Sequence, residues 1–214
     1  MNDIENDLEK IPRREREKAM HRKEILDAAI KVFAEKGLFE ATLDEIAQEA
    51  EFSKSALYLY FSNKEDIFFT ILNGALEKWE EFRENTITGK KDFKIEITDF
   101  LKGSAKHLYE NLDFFKILTS QIFNDFNGLS KENKEKLISK HCSLNCVFDK
   151  RIKKAIDDGE LRNLDPEAVA YLFHGSIDNM FSTRWNCATL DELLKSIDLF
   201  MDIIFNGIAK KKEN

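Results

Sequence analysis

Apolar residues recur along this chain at the three-and-four spacing of amphipathic helices, and the pattern restarts at each capping signal. The first run aligns Ile25, Leu26, Ala29, Val32 and Phe33 and predicts a helix over about residues 17–36, stopped by Gly37. Thr42 and Glu45 have capping-box spacing and open a short helix that faces inward through Leu43, Ile46, Ala47 and Ala50. After a turn at Glu51 and Phe52, Ser53 caps a third short helix whose buried edge carries Leu57, Tyr60 and Phe61. Ser62 and Glu65 repeat the capping-box spacing ahead of a helix bearing Ile67, Phe68, Ile71, Leu72, Ala75, Trp79 and Phe82, long enough to link two domains.

Beyond Gly89 the helical pattern continues over residues 93–109, 113–126, 130–157, 166–185 and 190–208. Asp165-Pro166, and Thr189 with Glu192, mark the last two starts, and Asp158-Gly159 breaks the chain before them. No stretch alternates long enough to make a sheet. The predicted fold is all-α: an N-terminal three-helix domain joined by a linking helix to a larger helical domain. The expected divisions are a flexible extension at 1–17, a three-helix domain at 18–64, a larger helical domain at 65–209 and a charged tail at 210–214.

Composition narrows this picture. Two prolines and eight glycines in 214 residues suit long helices joined by short turns. No apolar run approaches the roughly 20 residues that cross a bilayer, and the N-terminus is a mixed-charge stretch, so the expectation is a cytoplasmic protein with no membrane partner. Cys142, Cys146 and Cys187 form no disulfide framework, which suits a reducing compartment. A net charge of −7 counts against DNA binding at first sight. Locally the balance reverses: no acidic residue occurs from Phe52 to Lys64, and lysines stand at 54 and 64.

Two short helices around a tight turn, the second with a polar face, form the arrangement that lays its second helix in the major groove. Lys54 has the chemistry to donate to guanine acceptors or to phosphate, and small side chains at Ser55 and Ala56 let the backbone approach base edges. Thr42, Tyr58 and Lys64 are placed to hold phosphates. Ser53 and Tyr60 complete the candidate DNA-contact set. Arg13-Arg14-Glu15-Arg16-Glu17-Lys18 reads as a solvated, frayed extension, since its glutamates weaken the case for a minor-groove arm.

The run from Arg22 to Ala29, then Phe33 and Gly37, Thr42 to Ala47, and Ser53 to Glu65 resembles the DNA-binding domain of the TetR family over about residues 18–68. The resemblance implies a symmetric dimer and a palindromic operator on double-stranded DNA, with residues 18–64 as the helix-turn-helix DNA-binding domain and residues 65–209 as a helical ligand-binding and dimerisation domain that takes a small effector. One departure stands in the turn, where the family usually has glycine and this chain has Glu51; a positive φ there would be strained. The segment Ile156 to Arg162 followed by Asp165-Pro166-Glu167 resembles the family's approach to its dimer-forming helix pair.

In the C-terminal half, Ala168, Leu172, Gly175, Ser176 and Asn179 would place small groups on one helix face, and Ile197, Phe200, Met201, Ile204 and Phe205 line the last helix. This reads as a two-fold interface, with packing inside the monomer accounting for part of the set. Eighteen phenylalanines suggest an apolar effector pocket lined by Phe100, Leu108, Phe115, Leu118, Ile122, Phe148, Phe173 and Ile177, with Ser104, His107, His174 and Asp178 as polar groups. The competing reading is that the aromatic stripes are core. His141, Cys142 and Cys146 share a helix but lack a fourth ligand, so no metal is expected, and no cofactor either.

Together these features predict a sequence-specific DNA-binding transcriptional regulator, a repressor released from its operator by a small apolar effector. The alternatives are a helical interaction module without DNA binding, or a small helical enzyme. The enzyme reading lacks a glycine-rich phosphate loop, a Ser-His-Asp arrangement and a His-Glu-x-x-His helix.

Overall fold

Helix starts in the computed structural model follow their caps. The structure describes residues 12–115, 117, 126–183 and 189–206, and side chains 143–145, 178 and 181–183 are left aside. Among the described residues there is no strand, and the long elements are α1 (Arg13–Glu40), α2 (Leu43–Glu49), α3 (Lys54–Leu57), α4 (Lys64–Thr86), α5 (Phe93–Glu110), α6 (Lys131–Asp157), α7 (Pro166–Thr183) and α8 (Leu190–Asn206).

The all-α expectation holds, with two local corrections. Residues 13–17, expected to fray, are helical: Pro12 fixes the entry, its carbonyl accepts from the amides of Glu15 and Arg16, and Arg13 pairs with Glu17 one turn on. Gly37 breaks α1 where its stop is expected, at φ 75° and ψ 175°, a conformation that a side chain would oppose. The expected Ser62/Glu65 box is replaced by one shifted along the chain. Asn63 Oδ1 accepts the Asp66 amide at 2.9 Å, and Asp66 reaches back to the Ser62 amide at 2.8 Å. Glu65 is thereby freed for another partner.

The other caps form as the spacing predicts. Thr42 and Glu45 make a reciprocal box, as do Thr189 and Glu192. The Asp165 side chain accepts the Glu167 amide at the start of α7. After α6 the amides of Gly159 and Leu161 return to the carbonyls of Ile156 and Ala155, closing the helix end.

By packing, the chain divides into two units: Met1–Ala75 with Asp113–Leu137, and Leu76–Leu112 with Ile138–Asn214. The first therefore takes in the front of α4 and a distant segment that the sequence boundary at 64 had assigned elsewhere. Its core joins Ile25, Ala29, Val32 and Phe33 of α1 to Ile46, Leu57, Phe61, Ile67 and Phe68, with the rings of Phe33 and Phe68 edge to face at 4.9 Å. Gly128, at φ +93°, presses on this unit so closely that a Cβ there would stand 2.9 Å from Leu38 Cδ2 and 3.0 Å from Phe39 Cζ.

The second unit has its own core, built from Phe93, Ile97, Phe100 and Leu101 of α5, Phe148 and Ile152 of α6, Phe173 of α7, and Leu193, Ile197 and Met201 of α8. Within it lies an ionic cluster that pattern reading did not reveal. The Arg151 guanidinium donates to Glu96 at 2.7 Å, to Glu160 at 3.0 Å and 3.2 Å, and to the Lys91 carbonyl at 3.0 Å. Glu96, fully buried, also accepts from the Thr88 amide and hydroxyl and the Gly89 amide. Burial alone would raise the Glu96 pKa, but these donors bring it below the ordinary carboxylate value.

Candidate nucleic-acid interface

Sequence places two caps, Thr42 and Ser53, a short helix and a turn apart, and the fold turns them into a reading head. Thr42 starts α2 and Ser53 starts α3, where the Ser53 hydroxyl accepts the Ala56 amide at 3.2 Å. The turn between them puts Glu51 at φ 60°, the left-handed conformation that its departure from glycine makes costly. The Phe52 amide bonds to the Ala47 carbonyl at 2.9 Å and closes the turn.

The α3 segment is held by its buried edge. Leu57 and Phe61 are buried, and the Arg22 guanidinium lies 4.2 Å from the Phe61 ring centroid while donating to the Tyr60 carbonyl. The Tyr60 hydroxyl meets His21 Nδ1 at 3.1 Å, and His21 packs edge-on against Phe52. Tyr60 is thus half-buried and engaged in support of the helix, as is the half-buried Ala56. Arg22 and His21, which sequence reasoning passed over for this role, anchor the reading helix from α1.

Four side chains are left facing outward: Lys54, Ser55, Tyr58 and Leu59. They form two neighbouring pairs at i and i+4, Lys54 with Tyr58 and Ser55 with Leu59. Leu59 is 77% exposed and was absent from the candidate set, although its spacing from Ser55 signals the same face. Ser53 and Thr42 are exposed as well, but each has its hydroxyl committed to a cap.

Both lysines are engaged in ways the spacing did not reveal. Lys54 Nζ pairs with Asp44 Oδ2 at 2.8 Å, and the Asp44 carboxylate holds the Lys54 ammonium above its ordinary pKa. Lys64 Nζ donates to the carbonyls of Phe39 at 3.0 Å and Ala41 at 2.6 Å, tying the start of α4 to the α1–α2 turn. An ammonium has three donors, so one remains on Lys64 for a phosphate. Beneath this face, Lys36 together with the Thr42 amide and hydroxyl holds the Glu45 carboxyl at about 2.

The candidate effector residues do not come together as one set. Phe100, Leu108, Phe148 and Phe173 are buried in the second unit, where Phe173 packs against Phe148 at 5.6 Å and Phe93 at 5.8 Å, as core aromatics do. Ser104 is buried with its hydroxyl on the Phe100 carbonyl, and Ile177 packs half-buried against the same core. His107 lies beside Trp79, and His174 Nε2 meets Asp149 at 2.7 Å. Phe115 belongs to the first unit instead. Leu118, Ile122 and the Asp178 side chain lie outside the described residues. Arg83, 3% exposed, is a buried cation of the second unit that sequence reasoning missed, and burial lowers its pKa against the pull of Glu80 and Glu84.

The candidate dimer residues divide by helix. On α7, Ala168, Leu172, Gly175 and Asn179 are exposed and Ser176 is half-buried, while Tyr171 is 83% exposed on the same helix. On α8, Ile197 and Met201 are buried in the chain's own core and Phe200, Ile204 and Phe205 pack against it. The exposed apolar residues there are Leu199 and Ile203. Cys142 and Cys146 are exposed free thiols, and among the described residues no three potential ligands gather for a metal.

A capped helix pair with an acid-free outward face on its second member defines a helix-turn-helix transcriptional regulator. Residues 25–71 match the family model described as bacterial regulatory proteins, tetR family. The fatty acid metabolism regulator protein of Bacillus subtilis is 24% identical over 88% of this chain and 95% of its own length. Among solved structures, a putative fatty acid metabolism regulator of Clostridium perfringens is 27% identical, with TM-score 0.71, covering 88% of this chain and all of its own (100%). FadR of Bacillus subtilis, solved in complex with stearoyl-CoA, superposes at TM-score 0.72 with 21% identity, over 87% of this chain and 99% of that one. Residues 25–71 thus carry the DNA-binding segment described by the tetR family model, and the relatives that extend over the rest of the chain are transcriptional regulators.

Proposed function

We propose that this protein is a cytoplasmic homodimeric repressor that holds a palindromic operator and is released from it by an acyl-CoA effector. The observation that carries the DNA-binding half is the outward set Lys54, Ser55, Tyr58 and Leu59, with Thr42, Ser53 and the remaining donor of Lys64 at its border. A single copy offers few cations, so affinity comes from two copies spaced for successive major grooves, about 34 Å apart.

The effector half is supported by the relatives, two of which are named as fatty acid metabolism regulators and one of which was solved with stearoyl-CoA. An acyl chain also suits the aromatic second unit, where the rings of Trp79, Phe82 and Phe100 cluster with centroids 5.7–6.0 Å apart and His107 lies beside Trp79. Pairing of two copies through the exposed face of α7 and through Leu199 and Ile203 of α8 completes the reading. Ligand and operator then compete through differential affinity for two dimer states.

The test is to select duplexes from a random pool with the full chain, then titrate the bound complex with long-chain acyl-CoA, free fatty acid and coenzyme A. Release by acyl-CoA alone is the expected result. Acyl-CoA affinity that is equal with and without operator would sink the coupling.

A further inference from the structure

An exposed carboxylate on a DNA-reading face needs a physical account, because phosphates repel it. Asp44 in the first turn of α2 and Lys54 in the first turn of α3 are that case: their charged atoms meet at 2.8 Å, with the side chains 69% and 48% exposed. The pair bridges the two helices of the reading head. A favourable interaction of Asp44 with the N-terminus of α2 accounts for an acid at that position, but not for its being joined to the one lysine of the outward set.

We propose that Asp44 and Lys54 act as a unit that reads one G·C base pair in each half-site. In the major groove guanine presents two adjacent acceptors, N7 and O6, and cytosine presents its N4 amino donor beside O6. O6 and N4 are hydrogen-bonded to each other, so they lie about 3 Å apart. An ammonium and a carboxylate at 2.8 Å present a donor and an acceptor at the matching separation. Lys54 has two donors beyond the one given to Asp44, for O6 and N7, and Asp44 has free lone pairs for the N4 hydrogen. The ion pair therefore need not break on binding. An A·T pair has its amino donor between two single acceptors and adds a methyl group, so the ammonium there loses one of its two adjacent acceptors. The carboxylate thus works as a specificity element, and its lysine partner offsets its repulsion from phosphate.

This inference rests on the operator-binding reading, and the experiment separates the two. Full-length wild type, Asp44→Ala and Asp44→Asn are each used to select duplexes from a random pool, with heat denaturation confirming that each variant folds. Wild type is expected to select G·C at one position of each half-site, and Asp44→Ala to lose roughly ten-fold of that preference, read as the ratio of binding to the selected duplex and to the same duplex with that pair changed to A·T. Asp44→Asn, which keeps an acceptor for N4, is expected to retain part of it. Replacing the cytosine by pyrimidin-2-one, which lacks the amino group, is expected to weaken wild type roughly ten-fold and Asp44→Ala little. An unchanged base preference with Asp44→Ala, with or without a gain of affinity on every duplex, overturns the proposal and leaves the regulator reading intact. Wild type that selects no sequence at all overturns both.

Discussion

Glu65 accepts the backbone N–H of Ser130 at 2.7 Å, from a residue 65 positions along the chain, and the Asn133 side-chain amide at 3.0 Å. The carboxylate in the first turn of α4 thereby caps the first turn of α6, within the same packing unit. Ser130 first, and Asn133 less, hold its pKa below the ordinary value. Such a group stabilises the fold fully above the ordinary glutamate value of about 4.3 and loses that contribution as pH falls through its lower folded value. Glu65→Ala is expected to lower stability by about 1 kcal/mol at pH 7. In urea titrations the gap from wild type should close as the pH is taken below 4.3; a gap of equal size at low pH would show that the carboxylate charge is not what matters.

Glu51 stores strain at the turn of the reading head, at φ 60°. Replacing it with glycine relieves the clash of Cβ with the backbone, worth about 1 kcal/mol, and costs less than that in unfolded-chain entropy. Glu51→Gly is expected to raise the thermal midpoint and leave operator affinity unchanged. A fall in the midpoint would mean that the left-handed turn is not strained by its side chain.

The Glu96–Arg151 pair is buried on both sides, with side chains 0% and 4% exposed. Removing one partner strands the other charge, whereas removing both need not. Arg151→Met is therefore expected to cost about 3–5 kcal/mol. Joint replacement with Glu96→Leu should recover much of the loss. Equal costs for the single and double variants in chemical denaturation would refute coupling between the two charges.

Lys64 combines support and binding. Because its ammonium already holds the carbonyls of Phe39 and Ala41, Lys64→Ala is expected to lower the thermal midpoint and to weaken all DNA sequences alike. The salt dependence of binding distinguishes the two roles: its slope should fall by about one per site if the third donor meets a phosphate. An unchanged slope assigns Lys64 to support alone.

Much of this was legible from local pattern. The caps at Thr42, Ser53 and Thr189, the breaks at Gly37 and Gly159, and the buried stripe of α1 all depend on residues within one or two turns of each other, which is the range that capping and helical periodicity report. The same holds for Lys54, Ser55 and Tyr58 as outward residues, since a short helix with Leu57 and Phe61 inside has its other face fixed. The apolar stripe of α8 was legible as well, but not its destination. A helix that is apolar on one face packs equally well against its own core or a second copy, and here Ile197 and Met201 went to the core while Leu199 and Ile203 stayed outside.

The sequence by itself therefore determined the helices, their ends, the reading head and its family resemblance, because each is written in contacts between near neighbours along the chain. Tertiary structure alone decided which polar groups meet. Asp44 finds Lys54, Glu65 finds Ser130, and Arg151 finds Glu96 only when separate helices pack, since charge pairing depends on distance in space and leaves no periodic trace in the order of residues.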